Sequence, residues 1–164
     1  MTGWMEALEL LEYEDRYKQR LLEFYLPPEQ QDFTALPAGA LELALTDPDR
    51  RPMVILADGE AAGFFVLHTG KALEEYGADS SSVLIRALSV DYACQGRGIA
   101  GAAMRLLPGF VRKRYPAATR LVLAVNEDNT GAQRLYTKIG FRDGGRRRIG
   151  VHGPQRIMEY DLGR

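Results

Sequence analysis

The 164-residue chain has one cysteine, Cys94, and two histidines, His68 and His152. A single thiol excludes an internal disulfide and fits a reducing compartment. The histidines have no Cys, His or acid at ligand spacing, so the sequence holds no metal pattern. No apolar stretch approaches the ~20 residues of a membrane span. The acidic N-terminus, MTGWMEALELLEYEDR, lacks the basic flank and apolar run of a signal peptide. These absences predict a cytoplasmic protein without membrane association. The Gly-Lys-Ser/Thr of a nucleotide P-loop is missing, as is any aromatic-and-basic pattern for nucleic acid. There is no repeat and no low-complexity tract.

One further absence is local. No acid occurs between Asp91 and Glu127, while Arg97, Arg105, Arg112, Lys113, Arg114 and Arg120 all lie there. The chain as a whole is divided in the same sense. Residues 1–91 hold 17 Asp/Glu against 7 Lys/Arg, and residues 92–164 hold 5 against 14. A basic half suits a polyanionic ligand, and an acidic half suits a cationic one.

Hydrophobic residues make up 46% and charged residues 26%, which suits one packed domain over residues 1–164. Periodicity predicts a short strand at 7–11, an amphipathic helix over 15–26 and a turn at 29–33. A helix at 37–45 and a hairpin of strands 53–57 and 62–69 about Asp58-Gly59 follow. The polar, Gly-containing stretch 70–82 reads as a loop, and 83–90 as a strand. A long helix spans 98–115, with Ile99, Ala102, Ala103, Leu106, Leu107, Phe110 and Val111 as its apolar stripe and a kink at Pro108. A buried strand at 121–125, a helix at 129–139 ended by Gly140, and strands at 141–150 and 155–162 complete the chain. The order predicts an α/β (α+β) fold. Its sheet is mixed, mostly antiparallel and of about six to seven strands, with about four flanking helices.

Two constellations carry chemistry. Gln95-Gly96-Arg97-Gly98-Ile99-Ala100 joins a strand to the long helix. The first N–H groups of a helix lack internal partners, and its dipole makes that end positive. Glycines clear the approach of a phosphate to those groups, and Arg97 adds a charged donor. Gly96, Gly98 and Gly101 match a dinucleotide-binding spacing, but no ribose-binding acid follows and the position in the chain is wrong. Further on, Asn129, Ala132, Gln133 and Tyr136 share one helical face, which could line a groove or simply cap and pack.

Leu88-Ser89-Val90-Asp91, the glycine loop at 95–100, and Val125-Asn126-x-x-Asn129-x-x-Ala132-x-x-Leu135-Tyr136-x-x-x-Gly140-Phe141 together resemble the GNAT acyltransferase superfamily. The match runs over residues 83–141 in order, spacing and context. It is loosely similar to the bacterial small-molecule type, such as the polyamine acetyltransferases. The resemblance implies a sheet splayed at a cofactor cleft between strands 83–90 and 121–125, with acetyl-CoA as cosubstrate. The pantetheine would pair with backbone groups of Leu88, Ser89 and Val90. The backbone of Gln95, Gly96, Arg97, Gly98, Ile99 and Ala100 would take the pyrophosphate. Asn129 and Ala132 would border the pantetheine, and the Tyr136 hydroxyl would face the sulfur as the catalytic donor.

The acidic first half then favours a small cationic amine as acceptor. A protein amino group is the second reading, and a CoA-binding regulatory module without turnover is the third. A homodimer is compatible with each. Relatives place a Glu as base on the strand before the glycine loop, but Arg86 stands there instead. Glu29, Asp32, Glu74, Glu75 and Asp79 are the other acids near the expected site, and the base stays unassigned. Cys94 reads as passive, and Arg146-Arg147-Arg148 as solvated charge alternating between strand faces.

Overall fold

The computed structural model describes residues 7–163. Seven strands form one sheet: β1 (Leu8–Glu12), β2 (Arg50–Ala57), β3 (Glu60–His68), β4 (Ser82–Val90), β5 (Arg120–Asn126), β6 (Arg142–Gly150) and β7 (Gly153–Asp161). Their order is β1-β2-β3-β4-β5-β7-β6. Only β4 and β5 run parallel, and the other neighbours are antiparallel. The helices are α1 (Lys18–Leu22), α2 (Pro28–Gln31), α3 (Pro37–Thr46), α4 (Ile99–Arg114) and α5 (Thr130–Ile139). No helix among the described residues is long and apolar enough to cross a membrane.

The period-two alternation of the hairpin strands builds two apolar layers. Val54, Leu56, Phe64 and Val66 pack on one face against Leu21, Phe24, Leu41 and Ala44. Met53, Ile55, Phe65 and Leu67 pack on the other against Ile99, Ala103, Met104, Leu107 and Val111 of α4. Each of the Val, Leu, Ile, Phe and Met side chains among them contributes about 1.5–3 kcal/mol by leaving water. The buried face of α4 is turned by one residue from the expected stripe. Met104 and Pro108 are buried, while Leu106 is exposed. The helix continues through Pro108 from Ile99 to Arg114, and Pro108 has no N–H to give the Met104 carbonyl.

Two other expectations are corrected. The helix expected over 15–26 is a 3-10 turn at Asp15–Tyr17 followed by α1, and it stops at Leu22. The chain leaves the helix because tertiary partners claim its backbone. The Tyr25 N–H donates to the Asp91 carboxylate at 2.8 Å, and the Tyr25 carbonyl accepts from the Tyr92 N–H at 3.0 Å. The loop expected over 70–82 contains a 3-10 helix, Lys71–Tyr76, that buries Leu73 and Tyr76.

The sheet opens at its centre. β4 and β5 pair only from Ser82↔Arg120 to Ile85↔Leu123, and their C-terminal halves part. On its other side β4 carries a bulge. Val66 faces Arg86 and Phe64 faces Ser89, so Ala87 and Leu88 together oppose Phe65. Ala87 sits at φ 58°, an uncommon left-handed conformation for a residue with a Cβ. The inserted residue brings Ser89 onto the same sheet face as Arg86, although the two are three apart.

Candidate active site

A cleft of about 730 Å³ fills the opening between β4, β5, α4 and α5. Leu88, Ser89, Val90, Gln95, Gly96, Gly98, Ile99, Ala100, Asn129, Ala132 and Tyr136 all line it. Of the expected site residues only Arg97 does not, and it stands exposed on the loop.

Gly96 and Gly98 adopt φ 81° and 76°, which residues with a Cβ enter at a cost of roughly 1–2 kcal/mol. A Cβ at either would meet nothing within 4 Å, so it would point into open space. The N–H groups of Gly96, Arg97 and Gly98 make no hydrogen bond among the described residues. The first bond into α4 is Ala102 N–H to the Gly98 carbonyl, 3.0 Å, which leaves Ile99, Ala100 and Gly101 as unpaired helix-start donors. The loop is therefore a cradle of unpaired donors at the positive end of a 16-residue helix. That fits a pyrophosphate. Gln95 has a different task from the one expected. Its N–H donates to the Tyr92 carbonyl, and its carboxamide exchanges bonds with Gln30 (2.7 and 3.1 Å) while donating to the Val90 carbonyl (3.0 Å). It shapes the loop from behind and offers no backbone donor.

Asn129 caps α5, its Oδ1 accepting from the Ala132 N–H at 3.2 Å. Its carboxamide N–H groups remain available to the cleft. Tyr136 is 9% exposed, with its ring 5.6 Å from that of Phe141. Burial pushes its hydroxyl up to about 12, so it keeps its proton at any working pH. Gly140 at φ 126° ends α5, accommodating the turn and the close ring of Tyr160. Ser89 lines the same cleft, and its buried hydroxyl has no hydrogen-bond partner among the described residues.

Asp91 is the structural hub that motif reasoning passed over. It is 6% exposed and accepts from Arg20 Nη2 at 2.7 Å as well as from the Tyr25 N–H. With Gln30–Gln95, these bonds clamp the α1–α2 segment onto the glycine loop. An acid between a strand and a phosphate loop was visible in sequence, but its partner lies 71 residues away. Arg20→Met leaves Asp91 buried with one N–H donor. The expected cost is about 2 kcal/mol, or roughly 4–8 °C in Tm for a domain of this size. Thermal unfolding checks it, and an unchanged midpoint would show that the pair carries no net stability.

A second cavity of about 530 Å³ opens on the α3 side of the sheet. It shares Phe33, Thr34, Ile85, Ala87, Ala124 and Asn126 with the first, so the two meet at the splay. Its ionisable lining residues include Asp32, Arg50, Arg86, Arg148 and His152. The acidic surplus of residues 1–91 therefore does not gather in this cavity. A charge count along a chain does not survive folding as a local field, because strand alternation sends neighbours to opposite faces. Of the acids considered as a base, only Asp32 lines this cavity; Glu75 pairs with Arg148 at 2.7 Å, and Asp79 is held by Ser81 and Ser82. Arg148 also lies over the Tyr76 ring, 4.4 Å from its centroid, so the arginine run at 146–148 is more than solvated charge.

Comparison with known proteins agrees with this geometry. The model of the acetyltransferase (GNAT) family matches residues 9–141. An uncharacterized N-acetyltransferase of Bacillus subtilis (strain 168), YbbJ, is 40% identical over 158 residues, covering 96% of this chain and 99% of that protein. Among solved structures, the aminoglycoside acetyltransferase AAC(6')-Ib in complex with coenzyme A and kanamycin superposes with a TM-score of 0.77 at 20% identity, over 94% of this chain and 95% of that one. A chimera of spermidine N-acetyltransferase SpeG from Vibrio cholerae and hSSAT gives 0.67 at 16% identity, over 94% and 95%. The family model and the YbbJ match together establish that the chain belongs to the acetyltransferase (GNAT) family of N-acetyltransferases.

Proposed function

We propose that the protein moves an acetyl group from acetyl-CoA to the primary amine of a small molecule, by direct attack with both substrates bound. The observation that carries this is the cradle of unpaired N–H groups at Gly96–Gly101 opening onto the same cleft as Tyr136. Bound acetyl-CoA would supply the activated acetyl thioester. The backbone of Gly96, Arg97, Gly98, Ile99 and Ala100 holds the pyrophosphate, with Gln95 bracing the loop. Leu88, Ser89 and Val90 offer the free strand edge to the pantetheine, which Asn129 and Ala132 border. In this reading a backbone N–H near Val90 stabilises negative charge on the reacting carbonyl oxygen.

Tyr136 donates a hydrogen bond toward the leaving sulfur. With the phenol near 12 and a thiol near ~8.5, complete transfer of its proton is uphill by about 5 kcal/mol. Tyr136 therefore acts by hydrogen bonding in the transition state. The amine's proton has two takers in the second cavity, His152 and Asp32, whose Nδ1 and Oδ1 lie 3.8 Å apart. Holding both reactants in joined cavities supplies much of the rate by proximity.

The second cavity, at about 530 Å³ and walled by α3 and the β6–β7 turn, favours a small acceptor over a protein amino group. Thiol release from acetyl-CoA is measured across a panel of small amines and N-terminal and lysyl peptides. Turnover on small amines is expected. Tight CoA binding with no turnover on any of them would make the chain a CoA-binding module instead.

A further inference from the structure

Three arginines line the acceptor cavity, and they are not equivalent. Arg50 is paired with Asp47 at 3.2 Å. Arg148 is paired with Glu75 at 2.7 Å and bonded to Gln155 at 2.8 Å. Arg86 makes no ion pair among the described residues. Its one side-chain hydrogen bond runs to His68 Nδ1 at 3.1 Å.

Arg86 is partly buried, in the middle of the sheet, and is the last paired residue of β4 before the bulge. A guanidinium removed from water and left without a counter-ion is costly, and proteins retain such groups where a ligand completes them. Burial is the main influence that disfavours its charge; Arg50 and Arg148 add to it, while Tyr76 and Glu75 oppose it without forming an ion pair. His68 fits the same picture. It is 2% exposed, and burial with Arg50 and Arg86 holds its pKa below the usual value. The neutral ring can therefore accept from Arg86 at Nδ1, which fixes one edge of the guanidinium and leaves its other donors for the cavity.

Position adds a second, independent argument. The bulge at Ala87 and Leu88 puts Arg86 and Ser89 on one face of β4, either side of the point where the two cavities meet. The Ser89 hydroxyl is buried, 4% exposed as a residue, and has no hydrogen-bond partner among the described residues. A guanidinium without an ion pair thus faces the second cavity close to where it meets the first. The anionic end of a ligand would complete it.

Resting on the acetyl-transfer reading above, we infer that the acceptor is a small amine that also bears an oxyanion, a carboxylate or a phosphate, which Arg86 binds with Arg50 and Arg148 flanking. The planar fork of Arg86 suits either group by two parallel hydrogen bonds. The single lining carboxylate, Asp32, then faces the amino end with His152. This replaces the polyamine-like acceptor expected from the charge balance.

The test uses matched pairs on the full-length protein. Glycine is compared with glycinamide, β-alanine with β-alaninamide, and O-phosphoethanolamine with ethanolamine, with spermidine alongside. Two readouts are taken: kcat/KM for thiol release, and calorimetric affinity in the presence of saturating coenzyme A. One anionic member is expected to exceed its neutral partner by about 10–100-fold in both, the size of a charge-assisted pair of hydrogen bonds. The carboxylate and phosphate arms decide which oxyanion is meant. Arg86→Met is expected to collapse that ratio toward one, and Arg86→Lys to leave an intermediate ratio, because the charge stays but the fork is lost. Coenzyme A affinity of each variant reports that the fold is intact. Neutral partners or spermidine served as well as the anionic amines would overturn the oxyanion site and leave acetyl transfer standing. An anionic amine that binds selectively, with no thiol release, would confirm the site and sink the acetyl-transfer reading instead.

Discussion

Replacing Tyr136 by phenylalanine is expected to lower kcat by about 10²-fold or more, the usual effect of removing a positioned proton donor. Acetyl-CoA affinity should change by less than about threefold, since a donor made useful only in the transition state adds little to ground-state binding. The ring stays in place in this variant, so packing against Phe141 is kept. The tyrosine is buried in the wall of the cleft, and desolvation lifts its pKa to about 12. A group so weakly acidic stays protonated below about pH 11 and cannot produce a limb in the pH–rate profile near neutrality. The profile of the Phe variant should therefore keep the shape of the native one, displaced downward. Steady-state kinetics from pH 6 to 10, with calorimetry for acetyl-CoA, check each part. Loss of an alkaline limb would mean that the tyrosine titrates in that range. An unchanged kcat would remove Tyr136 from the chemistry.

Gly98→Ala is expected to weaken coenzyme A binding by roughly 10- to 100-fold, the value of one or two charge-assisted hydrogen bonds. Two effects add. At φ 76° an alanine is strained by about 1–2 kcal/mol, which the loop relieves by turning its N–H groups away. The new methyl also projects into open space where a phosphate would approach, since nothing of the protein lies within 4 Å of it. Gly109→Ala is the control. It lies on the same helix, also in open space but without positive φ, and should bind coenzyme A normally and gain slight stability. An unaltered dissociation constant for Gly98→Ala would mean that the pyrophosphate sits elsewhere.

How much of this was legible beforehand differs by element. The 3.6-residue pattern of α4 and α5 and the alternation of β2 and β3 are local consequences of which residues are apolar, and they were read correctly in kind. The helix expected over 15–26 was not, because local amphipathicity there competes with Asp91, which takes the Tyr25 N–H from 66 residues away. The glycine loop could be read because its chemistry is local: φ values that need glycine, and unpaired N–H groups at a helix start. Arg86 could be seen only as an arginine standing where relatives place an acid. That it is an unpaired cation facing a cavity depends on where Asp47 and Glu75 fold, and each of those pairs with a different arginine.

The sequence by itself thus determined the order of strands and helices, the glycine turn at the start of α4 and the tyrosine on the face of α5. Each rests on spacing within one element, where geometry follows directly from residue type. The opening between β4 and β5 was already implied by the family resemblance, whereas only the tertiary structure decided the bulge that puts Ser89 on the same face as Arg86 and the charge of the second cavity. Those depend on register and on which charges pair across the sheet, and charge pairing is settled by contacts between residues far apart in the chain.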